Sequence, residues 1–190
     1  MVIERREVLD KILLGYERSY NISEIEDPQT DLPLVATADL HVSESGFVLV
    51  RKAQMWSTNS NEFVYIFSVD KLEEDLCRKA IEYAYEKGLE KIDLEHTKDH
   101  MCSRIVALFL CDRAEPDAVK CIQKCRLYKS FQFSLKGWAE VHTVVCDLEN
   151  EVVESNRYGR ETAEYLRSLL YPQPEKKNKR KWGILKQMLQ

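Results

Sequence analysis

Apolar residues recur at helical spacing near the start of the chain. Val8, Ile12 and Tyr16 lie four positions apart, with further apolar residues between them, which predicts an amphipathic helix over residues 4–20. The segment SEIEDPQTDLP follows at residues 23–33, and its two prolines and several acids predict a loop.

Three runs rich in β-branched and aromatic residues come next, at residues 34–42, 47–56 and 62–69. Short polar segments separate these runs. Such spacing is typical of an antiparallel meander, so three consecutive strands are predicted.

A helix is predicted directly after the third run, over residues 71–87. Asp70 would be its N-cap, with Glu73 at the third helical position to complete a capping box. Gly88 would end the helix, because glycine adopts the left-handed conformation at low cost.

The second half of the chain continues to mix strands and helices. The run RIVALFLC at residues 104–111 is apolar at consecutive positions, which predicts a central strand covered on both faces. A helix is predicted from Pro116 to Lys129, since proline is tolerated in the first turn.

Phe131, Phe133 and Leu135 alternate with polar residues and predict a strand at residues 130–135. Further elements are predicted from the same kinds of pattern: strands at residues 138–147 and 152–155, and an amphipathic helix at residues 160–171.

The predicted element order is therefore αβββαβαβββα. This order predicts an α+β fold with a mixed, mainly antiparallel sheet flanked by helices. Residues 1–171 are predicted to form a single domain, and residues 172–190 a basic C-terminal extension.

Composition narrows the class of protein. The chain has 190 residues and a formal charge of −4, with 28 basic and 32 acidic side chains, so it is not a general nucleic-acid binder by charge. The longest apolar run, residues 105–111, has seven residues, whereas a membrane helix needs about 20. Charged residues interrupt the apolar N-terminus, which argues against a secretory signal. These features predict a soluble cytosolic protein.

Cysteine and glycine spacing argue against several cofactor classes. None of the six cysteines forms a CxxC pair, so a zinc ribbon and a thioredoxin-type motif are not expected, and the thiols are predicted to be reduced. The six glycines form neither a dinucleotide fingerprint nor a phosphate loop. No cofactor is predicted.

The element order of residues 4–111 resembles the core of the restriction-endonuclease-like superfamily. That resemblance implies an acid-x-lysine pair on one face of the third strand, where both side chains reach a metal-bound water and the phosphate. Asp70 and Lys71 are adjacent, so on a strand they would point to opposite faces. The acid-x-lysine spacing occurs only at Glu175 and Lys177, in the tail. The resemblance therefore reaches the topology without the catalytic motif.

The segments VLVRKAQMW, KSFQFSLKGW and DLENEVVESNRYG carry a second resemblance. The whole chain looks like members of an uncharacterised family of small cytoplasmic proteins from Gram-positive bacteria. This resemblance implies no activity.

Four polar residues on two predicted strands are candidate metal ligands. Asp39 and His41 share one face of a strand, and Glu140 and His142 share one face of another. If the two strands are neighbours, the four side chains would form a divalent-metal or acid–base cluster. The alternative is that they are the solvent-facing positions of edge strands.

The C-terminal tail has the strongest charge bias in the chain. It carries a cluster of basic residues and a tryptophan: Lys176, Lys177, Lys179, Arg180, Lys181 and Trp182. Such a segment can bind RNA, an acidic partner or an anionic membrane. It can also be a solvated C-terminus, or dock Trp182 and Leu185 on its own domain.

These observations together predict a non-enzymatic binding or regulatory module, with an unknown protein or nucleic-acid partner bound through the tail. Two alternatives stay open. One is a metal-dependent hydrolase or nuclease-like enzyme that uses the four candidate ligands. The other is a catalytically inactive nuclease-like protein that binds nucleic acid.

Overall fold

The computed structural model describes residues 4–28, 30–41, 60–93 and 102–172. Within them, four helices and seven strands form one α+β domain in the predicted order αβββαβαβββα. The helices are α1 (Arg5–Tyr16), α2 (Glu74–Glu90), α3 (Pro116–Lys124) and α4 (Arg160–Leu170). The strands are β1 (Asn21–Glu24), β2 (Leu34–His41), β3 (Ser60–Leu72), β4 (Cys102–Ala114), β5 (Tyr128–Ser130), β6 (Trp138–Asp147) and β7 (Val152–Ser155). None of the described helices is long and apolar enough to cross a membrane.

The seven strands form one sheet in the order β1-β2-β3-β4-β6-β5, and β7 also pairs with β6. The β3/β4 and β4/β6 pairs are parallel, and the other four pairs are antiparallel. The sheet is therefore mixed and mostly antiparallel, as predicted. Parallel strands need crossover connections, and α2 and α3 provide them.

Alternating residues of the central strands build a core on each face of the sheet. Under α2 and α3 lie aromatic and aliphatic side chains such as Phe63, Phe67 and Phe109. Under α1 and α4 lie aliphatic side chains such as Ile66 and Leu108. β4 is buried on both faces, which explains its uninterrupted apolar sequence.

The predicted capping role of Asp70 is wrong. Asp70 lies within β3, and its carboxylate pairs with Arg5 of α1. The N-cap of α2 is Glu73, which makes no side-chain capping hydrogen bond. On the opposite face from Asp70, Lys71 pairs with Glu73 at 3.3 Å. β3 continues past Asp70 because β4 pairs with it as far as Leu72. This long-range pairing overrides the local capping signal.

Gly88 does not end α2, which continues to Glu90. Its backbone instead lies against β4: a Cβ atom at this position would be 2.6 Å from Ile105 Cγ1. A glycine in the helix interior lets α2 approach the sheet more closely than any side chain would allow.

Two further predictions are wrong, one about a loop and one about a strand. β1 includes the first two residues of the segment predicted as a loop, and its mostly exposed edge position explains the missing apolar alternation. Instead of a strand at residues 130–135, the short β5 ends at Ser130 and residues 131–136 form a turn, and only the first of the three alternating apolar residues is buried. The predicted strand at residues 47–56 and the basic tail lie outside the described residues. The predicted helices at residues 4–20 and 116–129 end earlier, at Tyr16 and Lys124.

Candidate functional site

Asp39 and His41 project from β2 toward the face covered by α2. Lys91, the residue after α2, places its Nζ 2.8 and 2.7 Å from the two carboxylate oxygens of Asp39. His41 Nδ1 lies 3.1 Å from Asn61 Oδ1 on the neighbouring strand β3. Both side chains therefore have local partners on this face.

Glu140 and His142 project from β6 toward the other face, under α1 and α4. Their neighbours at the same alternation, Val144 and Cys146, belong to the core of that face. His142 Nε2 donates a hydrogen bond of 3.0 Å to Glu140 Oε1. Contact with His142 lowers the pKa of the Glu140 carboxyl.

The structure thus joins Glu140 to His142, gives Asp39 and His41 separate partners, and keeps the two predicted pairs apart. β3 and β4 lie between β2 and β6, so three strand spacings of about 4.8 Å separate the pairs, on opposite faces of the sheet. Within the described ranges, no three His, Cys, Asp or Glu side chains are grouped so that they could hold a metal. Alternation along a strand shows which residues share a face of that strand. It does not show whether residues of two different strands lie on the same face of the sheet.

A charged row that the sequence did not reveal crosses the sheet beneath α1 and α4. Glu62 on β3 is in register with Arg104 on β4, which is in register with Glu140 on β6. His142 lies two residues further along β6. We call these four residues the polar row. In the sequence, a charged residue stands at the start of each central apolar run. That pattern could not predict the row, because the alignment of these residues depends on the register between strands that are distant in the sequence.

Burial controls the electrostatics of the polar row. Glu62 is 5% exposed, and Tyr20 Oη donates a hydrogen bond of 3.0 Å to its Oε1. Burial raises the pKa of the Glu62 carboxyl, while His142, Tyr20 and Arg104 oppose that rise. Nearby, burial raises the pKa of the Cys102 thiol to about 11.

The polar row has the elements of acid–base chemistry, namely a carboxyl with a raised pKa and an imidazole oriented by a carboxylate. Aromatic rings cover it. Tyr158 stacks on His142 with ring centroids 6.3 Å apart, and Tyr16 stacks on Tyr20 at 4.6 Å. Neither of the two clefts described below opens onto the row. One hydrogen bond joins Glu62 on β3 to Tyr20 in the turn after α1, and another joins His142 to Glu140 within β6. The row therefore fastens the turn after α1 to the sheet.

A turn between β5 and β6 exposes two large apolar side chains. Phe133 is 97% exposed and Leu135 is 86% exposed. Gln132, Phe133 and Ser134 all have positive φ angles, of 48°, 55° and 67°. Backbone hydrogen bonds close this turn, including one of 3.0 Å from Phe131 N to Gly137 O.

Basic residues flank the exposed apolar side chains of the turn. Residues 126–137 contain three basic residues and no acid. We define the turn surface by its apolar and basic members: Arg126, Tyr128, Lys129, Phe133, Leu135 and Lys136. Lys129 Nζ lies 5.9 Å from the centroid of the buried Phe131 ring, which keeps this charge beside the turn.

Two open clefts lie on the described surface. One, of about 600 Å³, lies between the start of α1 and the carboxyl ends of β3 and β4; we call it the carboxyl-end cleft. The other, of about 790 Å³, lies between α2 and α3 and is bordered by charges of both signs. Ligands of parallel sheets often bind outside the carboxyl ends of the strands, and the carboxyl-end cleft lies at such a position.

Comparison with known proteins gives one match. Neither the curated proteins nor the solved structures contain a match to this chain. A family model described as a domain of unknown function, DUF8052, matches residues 4–168, which include every described helix and strand except the last two residues of α4. The chain therefore belongs to the DUF8052 family.

Proposed function

We propose that the chain is a non-enzymatic binding module whose partner is another protein, and that the turn surface is its principal contact. The observation that carries this proposal is the near-complete exposure of Phe133 and Leu135 on a hydrogen-bonded turn. Burying one such side chain yields about 1.5–3 kcal/mol, which this fold leaves unused.

Backbone strain supports the same proposal. Each non-glycine residue in the left-handed region costs roughly 1–2 kcal/mol, and three consecutive residues adopt it here. Strained backbone tends to occur where a local shape serves a function. The strained turn keeps Phe131 in the core and presents Phe133 outward.

Charge identifies the kind of partner. The turn surface is basic around an apolar centre, so its complement is a protein with an apolar pocket and an acidic rim. The basic tail, including Lys176, Lys181 and Trp182, would be a second contact with the same acidic partner. The tail holds six of the 28 basic residues and one of the 32 acidic ones, which leaves residues 1–171 with a formal charge of −9. That charge disfavours the nucleic-acid-binding alternative, because nucleic-acid affinity comes largely from phosphate contacts.

Two further observations fit a binding module. The candidate ligands Asp39 and His41 lie on the opposite face from Glu140 and His142, which weakens the metal-dependent hydrolase alternative. The six cysteines form no disulfide in the structure, and the reducing cytoplasm that we propose for this protein would keep them as thiols.

The test uses a photo-reactive phenylalanine analogue at position 133, with the same analogue at position 14 as control. Leu14 is also exposed but lies on α1, away from the turn. Cross-linking in the host cell should capture one protein from position 133 and not from position 14.

The captured protein is then purified and titrated with the full chain. Phe133→Asp should weaken binding at least ten-fold, and Leu14→Asp should not. Equal capture from both positions, equal effects of the two substitutions, or capture of nucleic acid would contradict the proposal.

A further inference from the structure

The carboxyl-end cleft has an apolar floor and an acidic rim. Leu9 from α1, Val35 from β2 and Leu148 after β6 line the floor. Glu4, Asp112 and Glu149 contribute carboxylates to the rim. The cleft therefore suits a ligand with an apolar group beside positive charges.

Two arginines also line this cleft, and each of them pairs with carboxylates, one of which is Asp112 of the rim. Arg5 pairs with Asp70 and, at 3.0 Å, with Asp112. Arg6 pairs with Asp10 and with Glu24, both at 3.0 Å. Since each arginine meets two carboxylates, the surroundings of the cleft keep a negative balance.

The chain approaches this cleft at the end of α4. α4 packs on the same face of the sheet as α1 and ends at Leu170. Tyr171 packs against the same core as Leu148 and lies near Asp147, the residue before Leu148. From residue 172, ten residues lead to Trp182, and an extended chain of that length spans up to about 33 Å. Trp182 is therefore within reach of the cleft.

We propose that the carboxyl-end cleft binds the chain's own C-terminal segment, residues 176–189. The indole of Trp182 would cover the apolar floor, and the lysines of residues 176–181 would face Glu4, Asp112 and Glu149. The tail carries a net charge of +5 and residues 1–171 one of −9, so attraction brings the two together. Tryptophan provides the large apolar area that a cleft of about 600 Å³ accommodates.

This contact is independent of the turn surface, which lies near the amino ends of the parallel strands. Docking of the tail in the cleft also affects the proposed function. A tail that is bound to the cleft must leave it before it contacts an acidic partner, so partner binding and self-docking compete.

The test is zero-length carbodiimide cross-linking of the full chain, read by peptide mass spectrometry. Amide bonds should join Lys176, Lys177, Lys179 or Lys181 to Glu4, Asp112 or Glu149. A mixture of isotope-labelled and unlabelled chains separates bonds within one chain from bonds between chains. Tail lysines linked to acids elsewhere, or linked only between chains, would overturn the proposal.

Matched variants separate charge from apolar contact. Glu149→Lys should reduce the remaining tail links to Glu4 and Asp112 several-fold. Glu86→Lys makes the same charge change on α2, which covers the opposite face of the sheet, and should leave the yield of these cross-links unchanged. Trp182→Ala changes no charge and should also reduce them several-fold. Equal losses in the two charge reversals, or an unchanged yield in Trp182→Ala, would overturn the proposal as well.

Discussion

The side chain of Asn156 replaces a missing strand segment at the edge of β6. On this edge β5 pairs with residues 138–140 and β7 with residues 144–147, which leaves residues 141–143 without a strand partner. Asn156 is 1% exposed. Its Oδ1 accepts hydrogen bonds from Thr143 N at 3.2 Å and Gly159 N at 2.8 Å. Its Nδ2 donates to Val141 O at 2.7 Å and Cys125 O at 3.2 Å.

Asn156→Ala should therefore remove four hydrogen bonds at once. Each buried backbone group that is left unpaired costs about 1–3 kcal/mol, but water can enter the space left by the amide and satisfy some of them. If two of the four groups remain unpaired, the free energy of unfolding falls by about 4 kcal/mol. That is a large part of the 5–15 kcal/mol typical of a domain.

Asn156→Asp tests whether hydrogen bonding or volume is responsible. The carboxylate keeps the shape and the two bonds accepted from Thr143 and Gly159, but it places an oxygen against the carbonyls of Val141 and Cys125. We expect at least as large a loss at pH 7, with partial recovery at low pH, where a protonated carboxyl donates one bond again.

The assay is urea denaturation followed by far-ultraviolet circular dichroism. Asn150→Ala is the control, because its exposed side chain donates only to Asp147, at 2.9 Å, and its loss should cost about 0.5–1 kcal/mol. A loss below about 1.5 kcal/mol in Asn156→Ala, or wild-type stability in Asn156→Asp, would refute the reasoning.

Three further predictions concern stability. Because burial raises the pKa of Glu62, the stability linked to its protonated form is present below the ordinary value of 4.5 and is lost as pH rises through the raised pKa. Glu62→Gln should flatten the pH dependence of the unfolding free energy above pH 4.5, measured by urea titration at each pH; an unchanged slope would contradict this. Gly88→Ala should lower stability by about 1 kcal/mol, since overpacking against Ile105 outweighs the gain in helix propensity, and a higher midpoint of thermal unfolding would show the opposite. Asp70→Ala should change stability by less than about 0.5 kcal/mol in urea titration, because its ion pair with Arg5 lies at the surface; a loss of 1 kcal/mol or more would contradict this reasoning.

The candidate sites show how far sequence patterns reach. The pairing of Glu140 with His142 was predictable, because residues two apart on a strand share a face. The separation of this pair from Asp39 and His41 was not, because the strand order places two strands between them. The exposed Phe133 was also hidden, since its alternation with Phe131 and Leu135 imitates a strand and only the positive φ angles reveal a turn.

The sequence by itself determined the elements whose signal is periodic within one segment. The apolar spacing of Val8, Ile12 and Tyr16 identified α1, and the consecutive apolar residues of β4 identified a strand buried on both faces. These signals are local, because backbone geometry fixes the repeat of each element. From them followed the α+β class and the mixed sheet.

Only the tertiary structure decided what depends on pairing between distant segments. The pairing of β3 with β4 carried the strand through Asp70, and the approach of α2 to Ile105 placed Gly88 inside the helix. The same pairing aligned Glu62 with Arg104 and buried the carboxyl. Register and close approach are set by the free energy of the whole packed core, which no short segment encodes.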